Sequence, residues 1–462
     1  MNARARERPR ADPRWTLAAC VLASSLSFVE GSVLNVALPA IRASYGAGAA
    51  EVQWVVNAYL LPLSALLLLG GALGDHFGRR RLLVIGTTIF AVTSLVCALA
   101  PSLPILLAAR AVQGIGAALL LPNSLALLNA AFEGEKRGRA VGIWAAAGAA
   151  AAAVAPLIGG WLVDNAGWPS IFYINLPLAL GAIFLALRFV PESREPGSGR
   201  TDYAGALLVT GGLGGLTYAL TLWSAEGGVS TQAAFAGIAG VVLLAAFLWV
   251  ERARRNRAMM PLALFGDRCF AGLNLLTFLL YRAFSAAMFL VPYVLISGGG
   301  YSPIQAGMAL LPLPILMTAL SPTMGSLAVK MGPRLPLTIG PLVVAAGLVL
   351  TQLIEPDSDY WTATFPAILI MALGMTIAVA PLTSSVLGSV EEQHVAMASG
   401  FNSAVARTGG LIATALLGAV LASEGEALFE GFHMAMLVAA AVAACASVVA
   451  LTMLGGVKMR NA

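Results

Sequence analysis

The sequence predicts an all-α integral membrane protein made of two six-helix bundles with two further transmembrane helices between them. Three observations carry that expectation. Of 462 residues, 59% are hydrophobic and only 11% are charged, whereas a soluble protein carries about 25% charged residues. A chain this apolar has to place its exterior in lipid. The apolar residues also come in runs long enough to cross a bilayer, which takes about 20 residues. Finally, the chain repeats itself. The turn Gly71 to Leu83 (GALGDHFGRRRLL) returns, eroded, at Gly325 to Arg334 (GSLAVKMGPR), 254 residues later. In each copy two glycines stand seven apart, and an arginine follows the second by two. An internal repeat of that size in an apolar chain is a signature of transporters built from paired bundles.

Taken in order, the expected spans are 15–38, 52–74, 82–100, 104–130, 138–163, 170–190, 203–223, 232–250, 269–296, 304–329, 336–354, 362–386, 395–421 and 432–455. The first is too long for a cleaved signal sequence and runs into a structured motif. If both termini are cytoplasmic, 23 of the 27 Lys and Arg fall on the inner side, Arg42 falls outside, and Arg110, Arg282 and Arg407 lie within spans. Outer turns are acidic instead, as at Glu355, Asp357 and Asp359. That bias is the positive-inside rule, and it sets the expected orientation. The resulting organisation is a basic arm (1–14), a first bundle (15–190), a linker carrying two extra helices (191–268), a second bundle (269–455) and a tail (456–462).

Several functions are disfavoured at once. No GxxxxGK[ST] phosphate loop occurs, so ATP hydrolysis is not expected. His76, His394 and His433 are far apart and suggest no metal site or cofactor. The cysteines Cys20, Cys97, Cys269 and Cys445 lie in or beside apolar runs and read as free thiols. The net charge of +5 sorts by topology and does not point to nucleic acid. Nothing argues for an enzyme.

The informative polar residues are those inside spans. Glu30 is the one carboxylate deep within a span, and an ionisable group there is a functional candidate by default. Arg110 lies at a matching depth in the fourth span. Desolvation would favour the neutral acid and a nearby arginine the charged one; the sequence does not say which prevails. The alternative is a permanent ion pair that ties helices together. Arg282, in the middle of the ninth span, would face a cavity opposite Glu30, contact substrate or act as a local strut. Arg407 reads as structural. Pro156, Gly159 and Gly160 follow an alanine-rich run, where small residues allow close packing and proline kinks a helix.

These residues sit in recognisable motifs. GALGDHFGRRRLL resembles the loop between the second and third helices of the major facilitator superfamily, with His76 where a basic residue is usual. FVEGSVLNVALPAI (Phe28 to Ile41) resembles the first-helix motif of its fourteen-helix drug:proton antiporters, the EmrB/QacA type, with Glu30 for the usual Asp and Ser32 for Thr. RAVQGIGAA (Arg110 to Ala118), APLIGG (Ala155 to Gly160) and WPSIFYINLP (Trp168 to Pro177) resemble motifs of the fourth, fifth and sixth helices. The resemblance spans essentially the whole chain. It implies a bacterial inner-membrane antiporter, working as a monomer among membrane lipids, that admits protons and expels lipophilic small molecules by alternating access. It further implies proton coupling through Glu30 and Arg110. Asn35 and Arg282 are candidates for the substrate cavity, and the family has no general rule that places an arginine at Arg282. A conformational latch at Gly71, Asp75, Gly78, Arg79 and Arg80 would join the halves, and Pro156, Gly159 and Gly160 would form the antiporter motif. A dedicated exporter of one endogenous metabolite and, more distantly, a non-transporting sensor are the alternatives. Neither motifs nor composition name the substrate.

The topology is directly testable. With native cysteines replaced, a single cysteine at Asp357 should react with an impermeant maleimide in intact cells, and one at Arg255 should not. The reverse pattern would overturn the orientation.

Overall fold

The computed structural model describes residues 13–194, 202–226, 228, 230–254, 262–390 and 395–454. Most of the basic arm, parts of both linker segments, the turn with Glu391, Glu392 and His394, and the tail with Lys458 and Arg460 lie outside the described residues. Among the described residues there is no strand, and fourteen helical spans are long and apolar enough to cross a membrane.

The first bundle consists of α1 (Pro13–Tyr45), α2 (Ala49–Phe77), α3 (Arg79–Ala98), α4 (Leu103–Ala131), α5 (Gly134–Ala166) and a sixth span. That span is split into a short α6 (Ser170–Tyr173) and α7 (Asn175–Phe189). A hairpin of α8 (Tyr203–Glu226) and α9 (Thr231–Arg254) follows. The second bundle begins with α10 (Arg268–Ser297). The expected span 304–329 is two helices, α11 (Pro303–Ala309) and α12 (Pro312–Met331). The second starts at a proline, whose ring removes a backbone donor and limits continuation from the preceding turn. Next come α13 (Arg334–Leu350) and α14 (Phe365–Gly388), the latter entered through a π turn at Tyr360–Thr364. The thirteenth span comprises α15 (Val395–Ala415) and α16 (Gly418–Ala422), and α17 (Glu426–Met453) ends the bundle.

An even number of spans puts the start of α1 and the end of α17 at one end of the molecule, here the terminal end; the opposite end is distal. The repeated turn occupies equivalent places at the terminal end of each half. Its second glycine links α2 to α3 at Gly78 (φ +112°) and α12 to α13 at Gly332 (φ +81°). These left-handed backbone angles suit glycine and strain other residues, which explains why the glycines outlast most of the repeat.

The halves close on each other distally. On α1, the Asn35 amide donates to the Met288 carbonyl of α10 at 3.0 Å, and Arg42 donates to the Tyr293 hydroxyl at 2.7 Å. α5 meets α11 almost backbone to backbone. A Cβ on Gly160 would stand 2.4 Å from the Pro303 carbonyl oxygen, and one on Gly307 2.3 Å from that of Pro156. The Asp164 carboxylate accepts from the Ile304 N–H at 3.1 Å, so it also caps the start of α11. Deeper in, Thr414 of α15 donates to Asn57 of α2. The extra hairpin stands beside this interface: the Ser224 hydroxyl of α8 donates to the Ala415 carbonyl at 2.8 Å and accepts from the Gly418 N–H at 3.0 Å.

Gly160→Val should therefore wedge the distal end open. Overpacking costs about 1–3 kcal/mol, comparable to the few kcal/mol that separate such conformers. A cysteine replacing Asn35 should label faster from the distal side in the Gly160→Val background. Equal labelling rates would show that the glycine contact does not hold the closure.

Candidate functional site

The site forms where polar residues from five helices of the first bundle converge in an apolar surround. Glu30 on α1 and Arg110 on α4 form an ion pair, and each residue is 1% exposed. Arg110 sits between helices, and its guanidinium donates to three acceptors. Its Nε donates to the Val55 carbonyl of α2 at 3.0 Å. One terminal nitrogen serves both Glu30 and, at 2.7 Å, the Gln113 side-chain oxygen. Gln113 is three residues on, hence on the same face of α4. The guanidinium also lies over the Tyr59 ring, 4.5 Å from its centre, an attractive cation–π placement.

The second carboxylate oxygen of Glu30 accepts from the Asn175 amide at the start of α7, at 3.0 Å. The Ser94 hydroxyl of α3 closes the network, accepting from Gln113 at 2.8 Å and from Asn175 at 3.3 Å. Tyr59 pairs its hydroxyl with that of Ser27 at 2.8 Å. One residue past Glu30, Gly31 is exposed with open space beyond its Cα. α1 packs against α4, α5, α7, α10 and α11, and so lies between the two halves.

The other expected site residues lie elsewhere. Asn35 bridges the distal closure, as above. Pro156, Gly159 and Gly160 lie at the same closure: a Cβ on Gly159 would fall 2.3 Å from the Val33 side chain of α1, while Gly160 faces α11. This short stretch of α5 thus contacts its own half and the other half on adjacent residues. Arg282 lies apart from Glu30, in a pocket between α10, the extra hairpin and α15–α17.

The turn at Gly71 to Arg80 is held by its own half. Asp75 pairs with Arg79 at 2.7 Å. Glu192, just past α7, accepts from the Arg80 N–H at 2.9 Å and from the Arg81 N–H at 3.2 Å, and so caps α3. A Cβ on Gly78 would collide with that carboxylate, and one on Gly71 would touch Pro122. Sequence reasoning missed Glu192 because it reads as linker. It also missed Gln113, Asn175 and Ser94, although all three are polar residues inside apolar spans, a signal available from the sequence.

The Major Facilitator Superfamily profile matches residues 20–266 and 273–458. The chain belongs to the major facilitator superfamily. Among its relatives are the "Multidrug resistance protein Stp" of Mycobacterium tuberculosis, 35% identical with 90% of this chain and 77% of that protein covered. Another is the "Tetracenomycin C resistance and export protein" of Streptomyces glaucescens, 31% identical over 90% and 77%. A third is the "Puromycin resistance protein pur8" of Streptomyces alboniger, 34% identical over 88% and 82%. The fold matches the crystal structure of a POT family transporter in complex with thioalcohol conjugated peptide, with a TM-score of 0.72 at 13% identity and 95% of each chain covered. This superfamily member is a transporter and not an enzyme.

Its ion pair has a measurable signature. Arg110→Gln leaves a buried carboxylate without its counter-charge, a defect that costs about 3–5 kcal/mol in buried pairs. Arg110→Gln should lower the thermal unfolding temperature in detergent more than Glu30→Gln/Arg110→Gln does. If the double variant is as unstable as the sum of the singles, the two side chains are not coupled.

Proposed function

We propose that this superfamily member is a proton-driven exporter of lipophilic small molecules, antibiotics among them, in a bacterial cytoplasmic membrane, working as a single subunit. The observation that carries the reading is the buried Glu30–Arg110 pair, one residue from the exposed Gly31. A proton and Arg110 compete for the same carboxylate. When the proton wins, Arg110 loses one of its partners but keeps Val55, Gln113 and Tyr59, so it is not stranded. When Arg110 wins, the proton leaves. A carboxylate with two alternative counter-charges is a switch that a proton gradient can drive, each charge moved being worth about 2.3 kcal/mol per 100 mV.

With both termini cytoplasmic, the distal end is the outer face, and the conformation closed there is inward-facing. Substrate enters from the inner side, and the cycle reopens the α1–α10 and α5–α11 contacts outward. In that reading the Gly71–Arg80 turn latches the inner end in the opposite conformation, using the charges that Asp75, Glu192 and the arginines hold ready at its rim. Relatives named for tetracenomycin C, puromycin and methylenomycin A support antibiotic-sized organic molecules as the substrate class. The chemical variety among those names favours a broad pump over the exporter of one metabolite.

Glu30→Gln keeps size and hydrogen bonding but cannot titrate. In proteoliposomes with an imposed pH gradient, it should still equilibrate substrate yet lose uphill accumulation and the accompanying proton flux. Glu30→Asp should keep partial coupling. Full coupling in Glu30→Gln would place the proton path elsewhere.

A further inference from the structure

A second polar feature lies outside this machinery. Arg282 is at the centre of α10, and among the described residues its guanidinium makes no hydrogen bond and no ion pair. It is half-buried and lines a pocket of about 540 Å³ whose walls are otherwise nearly all apolar: Ala286 of its own helix, Trp223 of the extra hairpin, Leu416, and Val438, Ala439 and Val442 of α17. None of the pocket residues belongs to α1–α7, so the pocket is separate from Glu30. Trp223 is 47% and Val438 50% exposed. Both lie on outer surfaces of apolar spans, so the mouth opens sideways into lipid.

An arginine without a counter-charge at this depth is costly, and an anion is the partner that relieves that cost most. Depth selects among anions. Arg282 is roughly 20 Å from either end of its helix at about 1.5 Å rise per residue. The hydrocarbon half-thickness is about 15 Å. A bilayer lipid keeps its phosphate at the interface, and a permanently charged sulfonate or phosphate does not dissolve in the hydrocarbon to reach the mouth. A carboxylic acid can. It crosses lipid as the neutral acid, and beside Arg282 it is held as the carboxylate, its proton returning to the aqueous phase. The pocket volume falls within the roughly 300–1,000 Å³ range of sites for drug-sized ligands. We propose that this pocket is a lateral binding site for lipophilic carboxylic acids, with Arg282 binding the carboxylate and the α8–α17 walls holding the apolar body. The inference does not depend on the proton-coupling role of Glu30.

Binding to purified protein in phosphatidylcholine nanodiscs tests it without transport. The probe is dansyl-labelled undecanoic acid, with its methyl ester as the uncharged control and empty nanodiscs as blank. The acid should bind more tightly than the ester. Arg282→Gln should weaken the acid by at least about tenfold, the scale of one charge-assisted hydrogen bond, and leave the ester unchanged. Arg282→Lys should restore most of the affinity. Ala286→Phe, which fills the pocket and keeps the charge, should abolish binding of both. Glu30→Gln should leave binding intact, so loss of coupling and loss of this site are separable. Equal binding of acid and ester, or an unchanged affinity in Arg282→Gln, overturns the proposal. Displacement of the probe when phosphatidylglycerol replaces phosphatidylcholine also overturns it, because the anion would then be a lipid phosphate.

Discussion

One charge pair in a medium that cannot solvate it sets the terms for the first bundle. A charge at the centre of a bilayer costs about 2.5–3.5 kcal/mol even by the lenient insertion scales. Glu30 and Arg110 are tolerable because each supplies the other's counter-charge and because neutral polar groups hydrogen-bond to both. Those groups come from different helices: Val55 and Tyr59 on α2, Ser94 on α3, Gln113 on α4 and Asn175 on α7. The pair therefore fixes the rotation of five helices at once. A ring of apolar contacts would be more forgiving, since lipid competes with it on nearly equal terms.

The junction between the halves follows a different rule. There the side chains are small or absent. Gly160 against Pro303 and Gly307 against Pro156 bring two backbones into contact. Without a hydrophobic drive between helices in lipid, dispersion from such close approach is a main source of attraction. It is also surrendered at modest cost, because the charged groups at its edge, Arg42, Asp164 and Glu424, meet water once the helices part. Polar contacts also cross, from Asn35, Arg42, Asp164 and Thr414, and water can satisfy these groups once the cleft opens. A tight polar network inside one half and a shallow, dry contact between halves suit a molecule whose halves move as bodies.

Much of this was legible in the sequence, for definable reasons. Span number follows from apolar run length, which lipid thickness fixes, and the repeat survived where positive φ retains Gly78 and Gly332. Glu30 and Arg110 stood out because charges inside spans are rare. Helix rotation was not legible. These spans are apolar nearly all round, so no amphipathic stripe says which way Arg282 points, and it lies in the lateral pocket and not opposite Glu30. Asn175 and Gln113 were passed over for a related reason: neutral polar residues are common in spans, and their meaning depends on which neighbours they meet. The break before Pro312 has a sequence signal, prolines at 303, 312 and 314, that run length alone does not register.

The placement of these features along α1 ties the charge chemistry to the closure. Glu30 faces α4 and α7; Val33, one turn on, fills the space left by Gly159 of α5; Asn35 reaches α10 in the other half. All three lie within two turns of one rigid helix. A change in what Glu30 binds alters the force on α1 at the same place where α1 touches the helix that forms the α11 contact. Because packed helices shift between discrete arrangements and do not deform smoothly, a small displacement of α1 need not fade before it reaches the distal end. Under the proposed coupling role of Glu30, the short path from Glu30 through Val33 and Gly159 to Gly160 is the physical route by which occupancy of the carboxylate bears on which end of the protein is open.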